Sequence, residues 1–145
     1  MDVEIKQLVS FTKEQLEAIN SLLQVLTANT PRLTYDDLSE IISAKNTYVF
    51  IAEYDKKIAG MLTLITYRIP SGAKAWIEDV AVDNAYQGKG IGRSLTEHAI
   101  IHAKSLNIKK IDLTSNAERV AANILYQKIG FIKKETNYYR LSGLE

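Results

Sequence analysis

Apolar and polar residues alternate around Val3 and Ile5, flanked by Glu4 and Lys6, so residues 2–8 read as a short strand. The spacing then changes. Leu16, Ile19, Leu22, Leu23 and Leu26 recur at helical intervals and predict a helix over 12–27 with Thr12 as its N-cap. Asn29-Thr30-Pro31 breaks it. Thr34 is placed to cap a second helix running to about Ala44, and Asp36 and Asp37 in its first turn suit the positive end of the helix dipole. Residues 47–54 and 57–66 are apolar on both faces and flank Asp55-Lys56, which reads as a hairpin covered on both sides. Pro70-Ser71-Gly72 makes a loop, and residues 74–83 give a third strand of this group.

A glycine-rich turn at 87–92 then opens a helix to about Asn107, with Ile91, Leu95, Ala99, Ala103 and Leu106 as its apolar stripe. A strand at 109–114 follows, then a helix at about 117–129 ended by Gly130, then two short strands near 131–134 and 136–142. The order β-α-α-β-β-β-α-β-α-β-β implies an α/β (α+β) protein with a single mixed, mostly antiparallel sheet. Only the helix at 91–107 forces a parallel crossover. A doubly wound nucleotide fold needs repeated βα units and does not fit.

The chain has 145 residues, the size of one domain, and we expect a single domain over 1–145. It contains no Cys, which excludes disulfides, thiolate-bound zinc and a thiol nucleophile. The net charge of +1 shows no footprint for nucleic acid. The distribution is uneven: residues 1–86 hold 12 acidic and 8 basic side chains, residues 87–145 hold 5 and 10. That asymmetry suits a polyanion held by the later half and a cation admitted by the earlier one, or simply solvated helix faces. No signal peptide or membrane-length apolar run is evident, so we expect a cytoplasmic protein without a membrane partner. His98 and His102 lie four apart, but position 99 is Ala where a zincin needs Glu. They read as a solvated face, and no metal is expected.

Gln87-Gly88-Lys89-Gly90-Ile91-Gly92 lies between a strand and a helix. Glycines allow positive φ and close approach to bare backbone, and the first amides of a helix lack intrahelical acceptors. The combination is an anion site suited to phosphate, or else a tight turn with no ligand. The spacing matches neither G-x-G-x-x-G nor the Walker loop.

Val80-Ala81-Val82, a short spacer and Gln87-x-x-Gly90-x-Gly92 resemble the acetyl-CoA signature of the GNAT superfamily of N-acetyltransferases. Asn123-Ile124-Leu125-Tyr126 and Ile129-Gly130-Phe131 resemble its second block, and the element order agrees along nearly the whole chain. Residues 77–82 with Tyr86-Gln87-Gly88 are similar to glucosamine-phosphate acetyltransferases. The tail from Glu135 to Arg140 is similar to small bacterial acetyltransferases of unassigned substrate.

The resemblance implies a parallel strand pair that splays to form an acetyl-CoA cleft. Val80, Ala81 and Val82 would line it, with a backbone amide polarising the thioester carbonyl. The amides of Gln87, Gly88, Lys89, Gly90, Ile91 and Gly92 would hold the pyrophosphate, with Lys89 and Arg93 adding charge. Asn116, Arg119, Asn123 and Tyr126 complete the cofactor set. Arg119, Asn123 and Tyr126 share one helix face by spacing, with Ile124, Leu125 and Ile129 turned to the core. Tyr126 would protonate the leaving thiolate and Glu78 would accept the amine proton. Asp79, Tyr67 and Tyr139 are assigned to the acceptor side, with the segments Thr27–Thr34 and Tyr67–Lys74 shaping its pocket. The expected activity is direct acetyl transfer from acetyl-CoA to a primary amine of a small molecule or peptide, by a monomer or homodimer. The alternative is a non-catalytic CoA-binding sensor or interaction module.

Overall fold

Thr12 starts the first helix as its spacing predicts. Its hydroxyl accepts from the Gln15 amide at 3.1 Å while the Gln15 side chain accepts from the Thr12 amide at 2.9 Å, a reciprocal capping box. The helix is α1, Lys13–Leu26, and it is preceded by strand β1, Glu4–Gln7. Thr34 caps α2, Tyr35–Ser43, with a single bond, its hydroxyl accepting from the Asp37 amide at 3.1 Å. The computed structural model describes residues 2–145. The chain separates into two compact units, Met1–Thr114 and Ser115–Glu145.

In the first unit β2 (Thr47–Tyr54), β3 (Lys57–Ile69) and β4 (Gly72–Val82) follow α2, then a 3₁₀ turn at Asn84–Tyr86, α3 (Ile91–Ser105) and β5 (Ile111–Leu113). The sheet order is β1-β2-β3-β4-β5, with β4 and β5 parallel and every other pair antiparallel. Asp55 and Lys56 both take positive φ, 50° and 63°, which closes the β2–β3 hairpin at the expected residues.

Both faces of the sheet are covered at its centre. Val49 and Ile51 of β2 join Met61 and Ala81 in a core with Leu16, Ile19, Leu22 and Leu38 from α1 and α2. On the other face α3 buries Ile91, Leu95, Thr96, Ala99 and Ala103. It sits close because β3 carries Gly60. A Cβ there would lie 3.0 Å from the Ala81 carbonyl oxygen, 3.0 Å from Ile91 Cγ2 and 3.2 Å from Leu95 Cδ1.

Several expectations are corrected. The loop expected at Tyr67–Lys74 is strand: pairing continues through Tyr67↔Lys74 to Ile69↔Gly72, leaving only Pro70-Ser71 as the turn. Leu106 is 40% exposed and lies past the end of α3, outside the stripe. His98 and His102 do not form a solvated face. Their rings meet Phe50 at 4.8 and 5.3 Å, and His102 meets Tyr48 at 4.5 Å. Each precedes a buried alanine by one residue, at the flank of the buried stripe.

The second unit contains α4, Val120–Ile129, capped at its C-terminus by Gly130. No strand forms over 131–145, so the strands expected at 131–134 and 136–142 are absent. Alternation permits a strand, but ladder hydrogen bonds make one. Ile132, Tyr139 and Leu141 in this stretch are strongly exposed.

Candidate active site

The parallel ladder between β4 and β5 has three rungs, Ala75↔Ile111, Trp76↔Asp112 and Ile77↔Leu113, and stops there. β4 continues through Glu78, Asp79, Val80, Ala81 and Val82 without β5 beside it. The strand also bulges at this point. Thr63 pairs with Glu78 and Met61 with Ala81, so Asp79 and Val80 together oppose Leu62, and Asp79 takes φ 52°. A bulged strand that runs on past the end of β5 therefore stands where the sequence placed Val80, Ala81 and Val82.

The glycine turn follows directly. Gly88 and Gly90 have φ of 76° and 80°, a region unfavourable to other L-residues, and a Cβ on either would meet nothing within 4 Å. Their requirement is conformational, and the space over the turn is open. Gly90 is the N-cap of α3 and supplies no side-chain hydrogen bond, unlike Thr12 and Thr34 on α1 and α2. The amides of Ile91, Gly92 and Arg93 open that helix and keep the electrostatic character of an anion site.

The polar side chains of the turn divide. Gln87 donates to the Val82 carbonyl at 3.3 Å and to Asn84 Oδ1 at 3.0 Å, so it clamps the turn back onto the end of β4. Arg93 pairs with Glu97 at 3.0 Å along the helix. Lys89 is exposed.

Glu78 is exposed and its Oε1 accepts from the Trp76 indole N–H at 3.1 Å. Asp79 is exposed by surface area, yet the neighbouring protein partly desolvates its carboxyl and raises it above the ordinary value. Tyr67 is half-buried on β3 opposite Lys74. The α1–α2 connection is pinned by Asn20, whose Oδ1 accepts from the Leu33 amide at 2.7 Å and whose Nδ2 donates to the Leu33 carbonyl at 3.0 Å. Arg32 pairs with Glu17 beside it.

In the second unit Asn116 organises the start of α4. Its carbonyl accepts from the Arg119 amide and from Asn123 Nδ2, both at 3.0 Å, and its Oδ1 accepts from the Glu118 amide at 3.0 Å. Tyr126 is buried at 5% exposure and Ile124 is 49% exposed, so these two depart from the expected division of the helix, while Leu125 and Ile129 are half-buried and Arg119 is exposed as expected. The Tyr126 ring meets Phe131 edge-on at 5.9 Å. Burial raises its phenol above the ordinary value, and the charge and hydrogen bond of Arg119 oppose that rise. The phenol is therefore held protonated at neutral pH. Tyr139 is 85% exposed in the strandless tail.

Sequence reasoning missed Gly60, the Trp76–Glu78 hydrogen bond and the Gln87 clamp. The first two were signalled only by a glycine inside an apolar strand and by a Trp-x-Glu spacing that puts both side chains on one face. Among the described residues no group of three or more His, Asp or Glu side chains is arranged to hold a metal. No helix among them is long and apolar enough to cross a membrane.

A bulged β4 that outruns its parallel neighbour thus leads into an uncapped helix start, and the comparisons identify the family. The profile of the Acetyltransferase (GNAT) family matches residues 15–131, and the chain belongs to that family. The ribosomal protein bS18-alanine N-acetyltransferase of Escherichia coli is 35% identical over 68 residues, covering 46% of each chain. The glucosamine 6-phosphate N-acetyltransferase of Arabidopsis thaliana is 33% identical over 63 residues, covering 43% of this chain and 40% of its own. The matched segment thus spans less than half of either relative. A solved putative acetyltransferase from Agrobacterium tumefaciens superimposes with a TM-score of 0.82 at 23% identity, covering 96% of this chain and 99% of its own, which shows a shared fold.

Proposed function

We propose that residues 1–145 form a single N-acetyltransferase domain that transfers acetyl directly from acetyl-CoA to a primary amine of a small molecule or peptide. The observation that carries the reading is the end of the β4–β5 ladder at Ile77↔Leu113, with β4 running on to Val82 and then into the left-handed glycine turn and the uncapped α3. The family match across both units supports treating them as one domain. No observation favours a non-catalytic CoA-binding module.

Bound there, acetyl-CoA supplies the acetyl group as a reactive thioester. Val80, Ala81 and Val82, on the part of β4 that runs past the end of β5, would lie beside the extended amide-bearing arm of the co-substrate. A β4 amide beside the bulge polarises the carbonyl under attack. The amides at residues 87–92 take the pyrophosphate, and Lys89 lends it positive charge. Asn123 belongs to the cofactor set through the second family block, and Asn116 and Arg119 join it as its hydrogen-bond neighbours at the start of α4. Glu78 accepts the proton that the amine gives up as its nitrogen bonds to the acetyl carbon. Tyr126 gives its proton to sulfur as the carbon–sulfur bond breaks. Solvent exchange restores both groups. Asp79 and Tyr67 lie on the acceptor side with Glu78, and Tyr139 is assigned there from the sequence. An acidic acceptor side favours cationic amines.

Thermal denaturation with acetyl-CoA tests the reading, followed by thiol release over three amines: a peptide beginning with alanine, glucosamine 6-phosphate and an aminoglycoside. We expect a raised melting temperature without added metal and thiol release with at least one amine. No shift with either CoA or acetyl-CoA sinks the proposal.

A further inference from the structure

β3 and β4 present a second stretch of the face that α1 and α2 cover. Thr63, Ile65 and Tyr67 on β3 pair with Glu78, Trp76 and Lys74 on β4, so these six side chains share one face. Where Met61 and Ala81 are sealed into the core, Trp76 is half-buried and Glu78 is exposed.

An exposed glutamate has three side-chain rotors, and fixing it has an entropic cost. A base works only when its oxygen stays within hydrogen-bond reach of the proton it removes. Something must therefore restrict Glu78. Residues two apart on a strand stand about 6.6 Å apart on the same face, a span that an indole and a glutamate side chain bridge together. The indole N–H is a donor with no acceptor capacity, and it is carried by a half-buried ring with two side-chain rotors against the glutamate's three. It reaches Glu78 Oε1 at 3.1 Å. The strand reverses its local geometry immediately afterwards, at the left-handed Asp79, so Trp76 is attached to the regular side of the bulge and Glu78 to its edge.

We propose that Trp76 is a positioning residue for the base: its indole N–H holds one oxygen of Glu78 and leaves the other to take the amine proton. The proposal rests on the reading of Glu78 given above. It assigns the lone tryptophan of the chain a role in turnover rather than in core packing.

Two measurements test it. The single tryptophan gives one indole N–H signal in a nitrogen–proton correlation spectrum, identifiable without further assignment. We expect that signal to shift and its solvent exchange to accelerate in Glu78→Ala; an unchanged signal overturns the contact. For turnover, Trp76→Phe keeps an aromatic ring and removes the donor. We expect kcat to fall about tenfold, the scale of a hydrogen bond to a charged group, with KM for acetyl-CoA and the melting temperature nearly unchanged. The loss should diminish as pH rises and the amine arrives deprotonated. It should add nothing in a Glu78→Gln background, because both changes remove one function. Full activity of Trp76→Phe beside an impaired Glu78→Gln overturns the positioning role alone. A pH-independent loss that adds to that of Glu78→Gln does the same, and marks Trp76 as structural. Full activity of Glu78→Gln, or no thiol release by the wild type with any of the three amines, removes the base reading and this role with it.

Discussion

Gly90→Ala separates backbone conformation from ligand contact at the turn. Gly90 holds φ 80° at the N-cap of α3, and an added Cβ meets no atom within 4 Å. The folded protein therefore loses no packing, only conformational ease. A non-glycine residue in the left-handed region costs about 1–2 kcal/mol. Removing glycine's freedom from the unfolded chain returns about 0.4–1 kcal/mol. The net is about 1 kcal/mol, a drop in melting temperature of about 3–5 °C for a chain of this size. With acetyl-CoA at a hundredfold excess over its dissociation constant, the wild type gains about 2.7 kcal/mol. On the proposed reading, the alanine methyl would stand in the space through which a phosphate approaches the α3 amides. A tenfold loss of affinity then removes about 1.4 kcal/mol of the ligand-induced gain. Gly90→Asn is the complementary variant, since asparagine tolerates positive φ but carries a side chain over the same space. It should melt near the wild-type temperature and lose the ligand shift. Calorimetry of the three proteins with and without acetyl-CoA checks both parts. A wild-type melting temperature for Gly90→Ala refutes the strain argument, and a full ligand shift in Gly90→Asn places the phosphates elsewhere.

Tyr126→Phe should lower turnover by about 10²–10⁴-fold while acetyl-CoA affinity changes little, because the hydroxyl acts as the thiolate forms; steady-state kinetics with a binding titration decides, and full activity assigns the acid to another group. Asp79 has a raised carboxyl, so the folded state binds its proton more tightly than the unfolded state. Its contribution to stability is thus lost as pH rises from the ordinary aspartate value through the raised one. Asp79→Asn should raise the melting temperature at pH 7 and leave it little changed at pH 3; a lower melting temperature at pH 7 would show that the charged carboxylate is favourably held. His102 shows the opposite linkage: burial and the neighbouring His98 lower its value, and its Nε2 is buried without a hydrogen-bond partner. Stability should fall as pH drops through the ordinary histidine range, and His102→Phe should flatten that slope in melts from pH 8 to 5.

The elements with strong local causes were legible in the chain. Thr12 and Thr34 were identifiable as caps because hydroxyls at those positions satisfy amides whatever the tertiary context. Asp55-Lys56 was legible because a two-residue connection between apolar runs leaves few geometries. The glycine turn was legible because only glycine supplies its conformation cheaply. What failed depended on distant partners. The alternation after Gly130 is compatible with a strand or with a solvated chain, and only a hydrogen-bonding edge decides between them. Tyr126 was assigned a polar stripe from helical spacing, yet its ring is buried and Ile124 is not. Ring area outweighs one hydroxyl in choosing a side. His98 and His102 were assigned to solvent because nothing in their own helix shows that Tyr48 and Phe50 lie across from them.

Gly60 reaches further than its place in β3 suggests. It lies beneath Ile91, the first residue of α3, with an added methyl separated from that side chain by only 3.0 Å. The row of amides proposed to face a diphosphate is thus seated on a position that has no side chain. Enlarging residue 60 would lift the helix start and spread the amides, changing anion affinity from behind the binding surface with no ligand contact altered. The proposed diphosphate affinity would consequently be open to tuning from the interior of the sheet, and a mutational survey confined to the turn would miss the residue beneath the helix start.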